Sequence, residues 1–175
     1  MRAHPQETIG KARQAHAESL ESYLARVTGL EGEPLRQEVE RVMGIVEGIP
    51  QLMERVNEVA MRRGVGLLVQ PLLEHAADYF RDPADHAPEV AYGVTGLLDD
   101  AYLALSVVAL VHDSFEQMVD VDVPGQVATL RRLLEPDLVE RLDAEVGRAI
   151  LKLARTVAGL RERSSLDVDF FLERR

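Results

Sequence analysis

Eight of the twelve aspartates (Asp78, Asp82, Asp85, Asp99, Asp100, Asp113, Asp120 and Asp122) and three of the five histidines (His75, His86 and His112) fall between positions 75 and 122. Carboxylates and imidazoles gathered in this way can hold a divalent ion. Oxygen-rich sets suit Mg, Mn or Ca, and added imidazole nitrogen turns the choice towards Zn, Fe or Mn. His75 and Asp78 are three residues apart and share one face near the end of a helix, while Asp99 and Asp100 open the next helix. If those two helices pair antiparallel, these ends meet. The metal candidates are therefore His75, Asp78, Asp99 and Asp100, with His86 on the connecting loop.

The same residues also have a purely structural reading. Asp82 and Asp85 start turns before or after proline, Asp99 and Asp100 cap a helix start or oppose the positive end of its dipole from the first turn, and the histidines pack or face solvent. Neither an HExxH pair nor an EF-hand loop is present, so the structural reading is taken first.

Other chemistries have less to build on. Ser106, Ser114, Ser164 and Ser165 lack a GxSxG setting, and His112 and Ser114 point about 200° apart if both lie on one helix. The glycines at 64, 66, 93 and 96 belong to turns, since neither GVG nor GVTG is followed by the Lys and hydroxyl residue of a phosphate loop. Adjacent Asp99 and Asp100 diverge on a helix and make a poor general acid/base pair. No catalytic or cofactor-binding residue is assigned, and no cofactor beyond a candidate divalent metal.

These residues sit in a chain of 175, with 46% hydrophobic and 29% charged residues, which suits one folded domain. A formal charge of −10 repels phosphate backbones and anionic lipid, and the basic pairs Arg62–Arg63, Arg131–Arg132 and Arg174–Arg175 are short and scattered. Nucleic acid is not an expected partner. With no cysteine there is neither a disulfide nor a thiolate site, and the N-terminal residues lack the apolar core of an export signal, so a cytoplasmic location is expected. The apolar run Ala101–Val111 is far shorter than the roughly 20 residues a spanning helix needs, so it is expected to be a buried helix.

Helical spacing dominates. Leu35, Val39, Val42, Val46, Ile49, Met53, Val56 and Ala60 alternate gaps of four and three, predicting one long helix with a kink near Val46–Pro50 or a break into two. Leu20, Tyr23, Val27 and Leu30 predict a helix over 6–28, ended by the turn 29–34. A third helix is predicted over 65–80, a loop over 82–95, a fourth helix over 96–118 and a short one over 126–134 after a break at 120–125. A last helix carries the seam Val139, Leu142, Val146, Ile150, Leu153, Val157 and Leu160. The fourth helix is apolar on every side and must be surrounded. The expectation is an all-α helical bundle of about five to six helices with a central buried helix near 97–118. A single domain over 1–163 divides into an N-terminal hairpin (6–62), a second hairpin (65–118) and C-terminal helices (124–163). The tail 164–175, with Phe170 and Phe171, is either docked or an exposed sticker, and docking is the preferred reading.

The stretch from Tyr79 to Leu110 resembles the small bacterial YkvA-like domain, a family of unknown function. Tyr79, Phe80, Pro83, Asp85, Pro88 and Glu89, followed by Gly96, Asp99 and Asp100, stand where its motif places an aromatic pair, P-x-D-x-x-P-D and G-x-x-D-D before an apolar helix. Glu89 stands where Asp is usual. The resemblance implies a helical hairpin with a structured proline turn, and no reaction or ligand.

Long seams without catalytic signatures point to a non-enzymatic protein-interaction or regulatory module, its partner another protein or a second copy in a homodimer. The alternative is a divalent-metal-binding protein or metal-dependent enzyme using the Asp/His-rich hairpin 75–113. Attachment to a membrane ranks last.

Overall fold

The computed structural model describes residues 20–79, 94–115, 118–151 and 154, with the backbone alone at 94–96. Among these every regular element is helical and none is a strand, so the chain is an all-α helical bundle. The elements are α1 (20–28), α2 (Gly32–Arg62), α3 (Gly66–Tyr79), α4 (Val94–Ser114), α5 (Val123–Arg131) and α6 (136–151).

The described part of α1 buries Leu20 and Leu24 in the common core. The Thr28 hydroxyl donates to the Leu24 carbonyl at 2.6 Å and accepts from the Leu30 N–H at 3.2 Å, closing the last turn. The 31-residue α2 runs uninterrupted through Gly44, Gly48 and Pro50, so the alternative of two helices does not occur. Pro50 lacks the N–H that would reach the Val46 carbonyl, and burial of Val46, Ile49, Pro50 and Leu52 holds the rod together across that missing bond. Of the expected seam, Leu35, Val42, Val46, Ile49, Val56 and Ala60 are buried, whereas Val39 and Met53 are half-buried. At the C-terminus the Val65 N–H reaches the Ala60 carbonyl at 2.9 Å and the Gly64 N–H reaches Met61 at 3.1 Å, with Gly64 at φ 74. This is a Schellman closure, and the glycine is there because a Cβ is disfavoured in the left-handed region.

The fourth predicted helix is displaced. It begins at Val94 rather than 96, and ends at Ser114 rather than 118. Its final turn is sealed from outside, because the Phe115 carbonyl accepts from Arg63 Nη1 at 2.7 Å. The earlier start carries Asp99 and Asp100 out of the first turn, which holds no acidic residue. The dipole role read for them therefore fails, since that effect fades beyond the first turn. The expected break over 120–125 is also corrected. The Asp122 carboxylate accepts from the Gly125 N–H at 2.9 Å and Pro124 sits in the first turn, so α5 begins at Val123 instead of 126.

As expected, α4 is innermost: every residue from Leu97 to Leu105 is buried, and so are Val107, Val108 and Val111. It packs against α2, α3 and α5. In α6, Val139 and Leu142 are buried and Val146 is half-buried, but Ala149 takes the next inward place and Ile150 is exposed. Leu153, Val157, Leu160 and the tail 164–175 lie outside the described residues.

Candidate functional site

His75 and Asp78 belong to α3, and Asp99 and Asp100 to α4, two helices that do pack together. Their side chains differ in burial. The inward face of α3 is Val69, Leu72, Leu73 and Ala76, which leaves His75 half-buried and Asp78 exposed. Asp99 and Asp100 are 0% and 1% exposed, because the helix carrying them is surrounded there. One Asp99 carboxylate oxygen accepts from the Asp100 N–H at 3.0 Å. Asp78, Tyr79, Asp99 and Asp100 all have further polar or electrostatic partners. Among the described residues the enclosed His75 Nε2 has no hydrogen-bond partner.

Among the described residues no three of His, Asp and Glu gather in a way that could hold a metal ion. His86 lies outside the described residues, as do Phe80, Pro83, Asp85, Pro88 and Glu89 of the motif. Of that motif, Tyr79 ends α3 half-buried, Gly96 is in the first turn of α4, and the two acids follow on the next turn.

Two polar clusters went unread in the sequence. The first is centred on Tyr102, whose residue is 1% exposed and whose hydroxyl donates to Asp143 Oδ1 at 2.7 Å. Arg131 Nη1 donates to the same hydroxyl at 3.3 Å, and Arg131 Nη2 lies 3.3 Å from Asp143 Oδ2. The cluster joins α4 and α6 through the last residue of α5. Burial is the main reason the Tyr102 phenol is pushed up to about 12, with the hydrogen bond to Asp143 and its charge adding to it; Arg131 and Ser106 pull the other way. The one available signal was a lone tyrosine in an apolar run, since a buried phenol seeks a partner.

The second cluster is Glu38, 8% exposed on α2. It accepts from Arg41 Nε at 3.0 Å and Nη2 at 2.7 Å, and from Arg132 Nη2 at 2.6 Å. Burial pushes its carboxyl up, but the hydrogen bonds and charges of Arg41 and Arg132 outweigh that and hold it below the ordinary glutamate value. Nearby, the Tyr23 hydroxyl donates to the Leu133 carbonyl, and Arg26 lies over the Tyr23 ring at 5.2 Å.

Both shifts move away from neutrality. A phenol raised to about 12 stays protonated at neutral pH and a glutamate held low stays ionised, whereas acid or base catalysts work best near the operating pH. These groups tie helices together. Replacing Tyr102 by phenylalanine is expected to cost about 1 kcal/mol, the net worth of one such hydrogen bond, since half-exposed Arg131 and Asp143 can still meet water and each other. Because the folded-state value is raised, this contribution is present below the ordinary value of 10 and is lost as pH rises through about 12. Denaturant melts of both proteins at neutral pH, with an absorbance titration of the tyrosines, check both statements.

The surface offers a different feature. Leu67 is 85% exposed and Met61 60% exposed, on either side of the turn from α2 to α3, and the Met61 side chain lies against Gly66. Arg62 and Arg63 flank it, both exposed. A second exposed pair, Ile150 and Leu151, lies towards the end of α6. No described helix is long and apolar enough to cross a membrane. No family model matches the chain, and neither a curated protein nor a solved structure matches it.

Proposed function

We propose that the chain is a non-enzymatic protein-interaction or regulatory module of the cytoplasm, binding another protein or a second copy of itself through the corner between α2 and α3. The exposure of Leu67 carries the proposal. A leucine that is 85% exposed, beside a methionine that is 60% exposed, gains most by being covered, at about 25 cal/mol per Å² of apolar surface removed from water. Methionine adapts to varied partner surfaces, and the neighbouring arginines supply the residue type enriched at such interfaces. With a net charge of −10, neither nucleic acid nor an anionic bilayer is proposed as the partner.

A photo-crosslinker placed at position 67 is expected to give one discrete adduct, with a second copy or with another protein. Met61→Asp should remove that adduct while leaving helix content unchanged. Light scattering separates the two partners, since self-association raises the mass as concentration rises. A strictly monomeric mass at high concentration, together with no adduct at 67, overturns the proposal.

The second reading, a divalent-metal-binding protein or metal-dependent enzyme, is supported by the enclosure of the neighbouring carboxylates Asp99 and Asp100. It expects stoichiometric metal in the purified protein by elemental analysis and a lower Tm with a chelator. Metal-free protein with a chelator-insensitive Tm discards it.

A further inference from the structure

We draw no further inference here: the strongest candidate, the exposed apolar corner of Met61 and Leu67 between α2 and α3, belongs to the site already proposed, and nothing in the structure shows what covers it.

Discussion

Leu103→Ala is expected to destabilise the protein by about 3–4 kcal/mol, within the range measured for truncating a buried leucine. Leu103 is 0% exposed and is flanked along α4 by other buried residues. The loss has two parts: the transfer free energy of the deleted atoms, and the cavity that a surrounded helix cannot collapse to fill. For a chain of this size the loss corresponds to a fall in Tm of roughly 10 °C. Thermal and denaturant melts followed by circular dichroism measure it. Leu67→Ala is the matched control, because a side chain that is 85% exposed should move stability by less than about 0.5 kcal/mol. If the two variants melted alike, α4 would not be the innermost helix.

Glu38→Gln is expected to cost about 1–2 kcal/mol at neutral pH. The substitution keeps the shape and removes the negative charge that Arg41 and Arg132 share at 2.7 and 2.6 Å. The cost stays below the 3–5 kcal/mol of a fully buried broken pair because both arginines are about half exposed and can be rehydrated. The pH dependence has a definite sign. The Glu38 carboxyl is held below its ordinary value of 4.5, so its contribution is complete above that value and is lost as pH falls through the depressed one. The stability gap between wild type and Glu38→Gln should therefore be widest at neutral pH and close in acid. A gap unchanged from pH 7 to pH 3 would show that the charge does not tie α2 to the segment after α5.

The parts of this fold legible in the sequence are those written in local spacing. The gaps of four and three from Leu35 to Ala60 place the inner face of α2, and the unbroken apolar run places α4 inside, because both follow from a helical period that neighbouring residues share. Helix starts were less legible. Gly96 looked like punctuation although Val94 and Thr95 complete the turn before it, and that error put Asp99 and Asp100 at the wrong place on the helix. At Asp122-Val-Pro-Gly the proline and glycine suggested a break, while an aspartate cap followed by a first-turn proline also begins a helix.

The ties between helices were not legible. Tyr102 meets Asp143 across 41 residues and Arg132 meets Glu38 across 94, so no local pattern pairs them before the bundle forms. The grouping of aspartates and histidines was visible as composition, but linear crowding does not fix direction. Asp78 turns to solvent on α3, while Asp99 and Asp100 are enclosed on α4.

The position of α4 in the chain order bears on how the polypeptide is made. The most water-averse segment leaves the ribosome with α2 and α3 ahead of it, while α5 and α6, which bring Arg131 and Asp143 to Tyr102, are still to be translated. During that interval part of its greasy surface has no cover of its own. Transiently uncovered apolar surface of this kind is what makes partly synthesised chains prone to aggregate.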